Sequence, residues 1–385
     1  MDMAPDPALT PGIGRTVPAL QAARWADLAS GAAEANAFYT PALLLPALAH
    51  LDEREEVRMI EVEDADGRLI GLMPIVSARR HGRLPIGNVA NWTHRHCFLG
   101  APLVRRGQEQ MAWAGFLARL DAMPGAAHFL HLSGLGAAGA NAAALEAVCV
   151  AQRRPFVEIQ RYDRALLASD LTADAYWETN VRAKKRKELR RLQKRLGEMG
   201  TVTHRTLTEG AELPGWCADF LTLEASGWKG AEGTALGQRA SDVAFLHESC
   251  ARAFANGALH MLRIDLDGRA IAMLVNFRHM DGAFSFKIAI DEALGRFSPG
   301  VLVEIDNLRA VQGDPDLGWM DSCAAPGHPM IDSLWVERRS IAQYRVALRG
   351  SARLRRQAAF AAAGAAERLT ALARGRGIKP MKDRA

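Results

Sequence analysis

The chain has 385 residues, a net charge of +5, 49% hydrophobic and 24% charged residues, a balance that places it among soluble globular proteins with two domains, or three at most. Its five cysteines (Cys97, Cys149, Cys217, Cys250, Cys323) are odd in number and lack Cys-x-x-Cys spacing, so neither a disulfide framework nor a zinc site is expected and a reducing compartment fits. No uninterrupted apolar run approaches a membrane span, and Met1–Pro7 is acidic and proline-rich instead of basic then apolar; the expected location is the cytoplasm.

In chain order, residues 1–40 read as an N-terminal extension. Val62–Met73 and Arg263–Leu274 share a pattern of strand, Asp-Gly turn and second apolar strand, a weak internal repeat that points to two lobes. Between them, Thr93–Val104 carries His94, His96 and Cys97. Alternate strand residues put at most two ligands on one face, so packing or substrate contact is expected there and no metal. Residues 137–147 are alanine-rich and predicted helical, and Ala165–Asp174 reads as a polar connector.

A basic helix is predicted over 180–196. Leu189, Leu192, Leu196 and Met199 recur at helical spacing, so one stripe packs while the remaining surface is cationic. That field suits the phosphates of a cofactor, a nucleotide-linked substrate, a nucleic acid or an anionic membrane surface, or it is simply a solvated face. Only Trp177 lies nearby for base stacking, so sequence-specific nucleic-acid recognition is not expected and a tRNA contact stays open. Phe220–Gly230 reads as a helix end running into a glycine-punctuated loop. Glu224 there opposes the negative end of its helix, so it either pairs with Lys229 or lines a pocket with Trp228 and Lys229.

Gly282–Val303 is the most informative stretch: a strand, a turn holding Arg296, then Ser298-Pro299-Gly300 opening a helix. Ser298 is placed as N-cap and Pro299 at the first helical position, where its missing N–H costs nothing. The N–H groups of Gly300 and Val301 then lack intrahelical partners and suit a phosphate, with Arg296 as a charged donor beside them. Leu317–Cys323 reads as a strand, Asp332–Arg339 as the start of a further element, and residues 341–374 as helix. The last ten residues look frayed.

Asp291-Glu292, the Arg296–Leu302 turn, Glu224–Gly230 and Gly233–Leu236 resemble the GNAT-type acyltransferases related to the CelD protein of bacterial cellulose biosynthesis, over about residues 40 to 345. The resemblance implies an α/β fold of two tandem GNAT-like lobes, with mixed, mostly antiparallel sheets flanked by helices, similar to the FemABX arrangement. It divides the chain into an extension (1–40), a non-catalytic lobe (41–165), a catalytic lobe (166–345) and a helical tail (346–385). It further implies an acyl-CoA-dependent N-acyltransferase needing no metal. Pantetheine would lie along Phe286, Ile288, Ala289 and Ile290, and the pyrophosphate at Arg296, Phe297, Ser298, Gly300, Val301 and Leu302. Pro299 and Val301 occupy positions where the usual loop has small residues, which removes one main-chain donor.

Transfer from a thioester to an amine needs an oxyanion donor, a proton route and alignment. A main-chain N–H near Ile288–Ile290 would serve the oxyanion, with Asp291 as first choice of base, then Glu292, and with Glu224 and Asp321 as further candidates to take the proton directly or through water. Trp228, Lys229, Asp321 and Arg338 would wall the acceptor cleft. The acceptor would be an amine of a sugar, a polysaccharide precursor or an envelope lipid. Two alternatives stand beside this reading: FemABX-like transfer from aminoacyl-tRNA, favoured by the basic helix and altered loop, and a non-catalytic partner of a polysaccharide synthase.

Overall fold

A computed structural model describes residues 9–10, 19–54, 56–123, 127–350, 355 and 357–366. The first half contains β1 (Leu9–Thr10), α1 (Ala19–Ser30), α2 (Pro41–His50), β2 (Arg58–Glu63), β3 (Leu69–Ala78), β4 (Asn88–Asn91), β5 (Leu103–Val104), α3 (Glu109–Ala122), β6 (Phe129–Gly136), α4 (Ala140–Ala151) and β7 (Phe156–Leu167). The second contains α5 (Ala173–Asn180), α6 (Ala183–Gly197), β8 (Val202–Thr206), α7 (Leu213–Ser226), α8 (Trp228–Ala231), α9 (Ala240–Ala255), β9 (Leu259–Leu266), β10 (Arg269–His279), β11 (Gly282–Ile290), α10 (Pro299–Gly313), β12 (Trp319–Asp321) and β13 (Glu337–Ala347).

The strands form one continuous sheet in the order β1-β2-β3-β4-β6-β13-β7-β12-β11-β10-β9-β8, with β5 against β3. Separate sheets were the expectation; the strands at the centre are exchanged instead. β7 leaves the first half to pair with β12, and β13 returns from the end of the chain to pair with both β6 and β7. The seam is therefore continuous hydrogen-bonded sheet.

Two hairpins match the internal repeat, β2–β3 and β9–β10. Their turns use Gly67 at φ +75° and Gly268 at φ +79°, a backbone region where a Cβ is costly. Each half also has one parallel step, β4 to β6 around α3 and β11 to β12 around α10, because a helical crossover is what a parallel connection requires. Both steps pair briefly and then splay. Beyond Phe284, β11 runs to Ile290 with no β12 partner.

The first splay is closed. Asn91 Nδ2 donates to the carbonyls of Ser133 and Gly100, both at 2.8 Å, and Asn91 Oδ1 accepts the Ser133 N–H at 2.8 Å. The second splay is open along β11.

Where the two halves meet, Phe38 packs edge to face on Phe98 and Phe284, and Phe98 lies tilted against Phe286, at centroid distances of 5.5–6.0 Å. Under the seam lies a buried ion cluster. Asp321 on β12 is fully buried and accepts from Arg164 on β7 at 2.6 Å and Arg339 on β13 at 3.0 Å.

Four further expectations change. Residues 341–347 belong to β13, not to a helix: Ile341, Ala342, Tyr344 and Val346 are buried in a central strand covered on both faces, where even Arg345 is buried, so burial does not alternate and gives no period-2 signal. Helix appears only at 355 and 357–366. β7 extends through Leu167, so the polar connector shortens to 168–172. The basic helix starts at Ala183 after a break at Val181; Leu189, Leu192 and Leu196 are buried, whereas Met199 lies beyond the helix and is exposed. Residues 1–8, most of the linker before α1 and the last ten residues lie outside the described residues. Helix α1, within the expected extension, packs on the first half through the fully buried Trp25 and an Arg105–Asp27 ion pair of 2.6 Å.

Two consequences for stability follow from burial. Replacing Asp321 by Ala strands two guanidiniums without a counter-charge and is expected to cost about 3–5 kcal/mol in denaturant unfolding; no loss would remove the cluster from its structural role. Glu304, on α10, is pushed up to about 7 by burial, against the lowering effect of the Asn307 side-chain amide that donates to it at 3.0 Å. The folded protein keeps this proton while the unfolded chain releases it near the ordinary value of 4.5. The folded state thus binds more protons across that window, and stability falls as pH rises from about 4.5 to about 7. Glu304→Gln is expected to flatten this slope and raise Tm above neutral pH; an unchanged profile of Tm against pH would contradict it.

Candidate active site

The open splay beside β11 is shaped by a register break. Val275 pairs with Lys287 and Asn276 with Ser285, so Phe286 is an extra residue bulged out of the β10–β11 ladder. A bulge takes a main-chain group out of the ladder and re-aims the side chains beside it. Ile288 and Ile290 pack with Leu302 and Val303 of α10, whereas Phe286 and Ala289 join the opposite core that contains Phe220 of α7 and Phe245 of α9.

Lys287 sits on this second side. Its Nζ lies 5.5 Å from the ring centroid of Phe98 and 5.7 Å from that of Phe286. Burial lowers its pKa, the positive charge of Lys229 lowers it further, and Glu224 and Asp242 only partly oppose them. No carboxylate lies within ion-pair distance of it among the described residues. A lysine so placed gives up its proton more readily than one in water. The sequence signal was available: Lys287 is the one charged residue in the apolar strand Gly282–Ile290.

Around Lys287 the polar groups are held firmly. Glu224, buried in the last turn of α7, accepts from Lys229 Nζ at 3.0 Å and from the Leu236 N–H at 2.9 Å. Lys229 also donates to the Ile288 carbonyl at 2.9 Å. The loop after β4 brings His96 to Asp242 of α9 at 2.9 Å, with Arg95 on the same carboxylate oxygen. Burial alone would raise Asp242, but its bonds from His96 and Arg95 outweigh it and lower the carboxyl. Burial pushes His94 down to about 3 and also lowers His96. His94 and His96 pack on Phe245, and no group of three metal-ligating side chains occurs among the described residues.

A groove of about 200 Å³ runs beside β11, lined by Glu224, Trp228, Lys229, Ile288, Ile290 and Met330 among others. Glu292 also lines it, accepting the Trp228 N–H at 2.8 Å. Asp291 caps the following turn through the Ala293 N–H at 3.0 Å and pairs with Arg269 at 2.7 Å. Thus Glu224, Glu292, Lys229 and Trp228 meet in one groove, while Asp291 faces Arg269. Asp321 lies in the seam cluster, and Arg338 donates to the carbonyls of Trp335 and Glu337.

The start of α10 differs from the expected cradle. Ser298 adopts a left-handed conformation, φ 55°, and its side chain makes no cap. Its carbonyl accepts the Val301 N–H at 2.9 Å and the Leu302 N–H at 3.1 Å, and Pro299 has none to offer. Gly300 is buried: a Cβ there would lie 3.2 Å from Ile290 and 3.3 Å from Met330 Sδ. Phe297 packs into the core with Leu294 and Leu302, and the guanidinium of Arg296 lies 4.9 Å from the Phe297 ring. The loop after β12 carries Met330, which stands beside Gly300 at this helix end.

No helix among the described residues is long and apolar enough to cross a membrane. Residues 183–324 match the family model described as an acetyltransferase (GNAT) domain. No curated protein matches the chain by sequence. Among solved structures, the chain is similar to FemX (9% identity, TM-score 0.56, covering 85% of this chain and 96% of that one). It is also similar to a conserved protein of unknown function from Bacteroides thetaiotaomicron VPI-5482 (12%, TM-score 0.55, 86% and 98%). A third is the C-terminal domain of a protein assigned as a lysylphosphatidylglycerol synthetase from Agrobacterium fabrum (11%, TM-score 0.51, 88% and 94%). At these identities the likeness is one of fold. Residues 183–324 thus carry a GNAT-type acyltransferase fold, set in a mixed α/β fold that these structures share.

Proposed function

We propose that the protein is an aminoacyltransferase of GNAT type, which takes its acyl group from an aminoacyl-tRNA and passes it to an amine of a small acceptor. The observation that carries this reading is the occupied start of α10. A diphosphate needs several free main-chain N–H groups at a helix end; here proline removes one and the Ser298 carbonyl accepts the Val301 N–H, which leaves that of Gly300, with Ile290 and Met330 close beside the residue. The acyl carrier must then be held by other groups.

The exposed face of α6 offers them: Lys184, Lys187, Arg190, Lys194 and Arg195 all face solvent. Leu196 packs the helix beside Leu294 and Phe297, directly along the turn that enters α10. Between α6 and α10 lies a cleft of about 400 Å³ with Trp177, Arg186, Arg190 and Arg309 on its walls, together with Asp174, Glu178 and Asp306. It gives a terminal base an aromatic surface and the backbone a cationic flank. The FemABX-like arrangement and a fold shared with FemX and a synthetase named for a lysyl-lipid product agree with this donor.

In the transfer, the acceptor nitrogen attacks the ester carbonyl and forms the new C–N bond as the C–O bond to the ribose breaks. Lys287, whose pKa its buried surroundings lower, takes the proton from nitrogen in its unprotonated form and returns it to the departing ribose oxygen. The main chain at the Phe286 bulge faces the developing oxyanion. Catalysis belongs to the second lobe, since Asn91 occupies the corresponding splay of the first.

A second reading, acyl-CoA-dependent N-acylation of a sugar, polysaccharide precursor or envelope lipid, is favoured by the acetyltransferase family model and the groove beside Ile288 and Ile290. Kinship to the CelD-related enzymes rests on the Glu224–Gly230 and Arg296–Leu302 motifs.

Filter binding of charged tRNA decides the donor. Wild-type protein is expected to bind with a Kd that weakens steeply with salt, and reversing Lys187, Arg190 and Lys194 to Glu should weaken it by at least about tenfold. Binding indifferent to these changes would contradict the proposal. Lys287→Met is expected to lower the transfer rate about 10²–10⁴-fold. The wild-type rate should rise with pH through a group below the ordinary lysine value of 10.5, and that rise should vanish in the variant. A retained pH profile would remove Lys287 from the proton path.

A further inference from the structure

We infer that a cleft at the C-terminal end of α10 holds the base next to the 3′ end of the donor, and that this base is a cytosine. This rests on the tRNA reading above and adds what the protein recognises in that partner. The cleft lies between the connector 168–172 and the turn that follows α10, and has a volume of about 280 Å³. Sites for drug-sized molecules run from roughly 300 to 1,000 Å³, so this one suits a single base with its phosphates left outside.

Gln312 carries the inference. Its side chain lines the cleft, and its Nε2 and Oε1 are both buried without a hydrogen-bond partner. Leaving a buried amide unpaired is unfavourable, and a partner that enters the cleft removes that cost. The amide presents a donor and an acceptor side by side. Its complement is a planar edge with one acceptor beside one donor, which is how amide side chains pair with a nucleobase.

The other walls choose the base. Asp170 and Asp314 line the cleft, and among the described residues no lysine or arginine does. Arg278 engages Asp314 at 2.9 Å, whereas Asp170 is exposed. Carboxylates repel a phosphate and accept from the exocyclic amino group of cytosine, where uracil presents a carbonyl. Leu171, an apolar side chain 41% exposed, gains cover against the ring together with Pro315 and Leu317.

Position agrees as well. Leu302, Ile305, Asp306 and Arg309 of α10 face the cleft that holds Trp177. Gln312 follows Arg309 by three residues, on the same side of the helix and about 4.5 Å further along it. Across from them, Asp174 belongs to the first cleft and Thr172, the N-cap of α5, to the second. The clefts are thus consecutive, on the order of one nucleotide step apart. Every tRNA ends in cytosine-cytosine-adenosine, so a terminal adenine on Trp177 brings a cytosine to Gln312. That end is common to all tRNAs; the cleft selects tRNA as a class and reads no sequence within it.

Fluorescence anisotropy of the full chain with RNA minihelices ending in CCA or in CUA tests this. The CCA form is expected to bind about tenfold more tightly. Gln312→Leu should abolish that preference and Asp170→Ala should weaken it, while the salt dependence of binding, which the α6 cations set, stays as in the wild type. If Gln312→Leu fails to fold, Asp170→Ala, in the exposed connector, carries the test. Equal binding of the two minihelices by wild-type protein, or a preference that survives both substitutions, would overturn the cytosine site and leave the tRNA donor standing. Saturation-transfer NMR with cytidine and uridine separates the claims from the other side. Cytidine binding that Gln312→Leu removes, in a protein that binds neither minihelix, would uphold the cleft and overturn the proposed donor.

Discussion

A carboxylate without access to water organises this molecule. Asp321 is fully buried, and a lone charge there would cost more than a small fold can spare. It is tolerated because Arg164 and Arg339 approach it from β7 and β13, the two strands that the halves exchange. The pairing fixes the order β13-β7-β12 at the middle of the sheet and holds the start of the loop after β12 through the Cys323 N–H. From that loop follows, through Met330, one wall of the groove beside β11. The ion cluster thus links fold to chemistry: the seam positions that groove.

The two splays show how one architecture is used in two ways. In the first half Asn91 supplies from its own side chain the hydrogen bonds that would otherwise be left open, and the splay is finished structure. In the second, the bulge at Phe286 and the free edge to Ile290 leave room, and a lysine stands where an apolar residue would pack better. Keeping Lys287 there without an ion pair costs stability, and such costs concentrate at functional sites. The α10 start carries the complementary lesson. Its sequence has the cap, proline and glycine of an anion site, yet the side chain of left-handed Ser298 makes no cap and its carbonyl accepts the Val301 N–H that the anion would need.

Local chemistry was readable in the sequence. The Asp-Gly turns, the strand-turn-helix over 282–303 and the Glu224–Lys229 pair all follow from residues close together in the chain, where turn preference and helix periodicity act directly. What escaped depends on long-range pairing. β13 resembles helix because both of its faces are covered, and its partners lie about 170–220 residues away, a separation that no local pattern encodes. Met199 fits the helical spacing, but the helix ends at Gly197. Lys287 was visible as an oddity in an apolar strand, but its meaning depends on Phe98 from the other half. The same holds for Arg164, which needs Asp321 to explain its burial.

The central claim is that the start of α10 does not hold a diphosphate, so the acyl carrier is bound elsewhere. Calorimetric titration of the purified protein with acetyl-CoA tests it most directly. The expected result is no saturable heat, in wild-type protein and in Arg296→Ala alike. Saturable binding of acetyl-CoA that disappears in Arg296→Ala would contradict the account and restore coenzyme A as the donor.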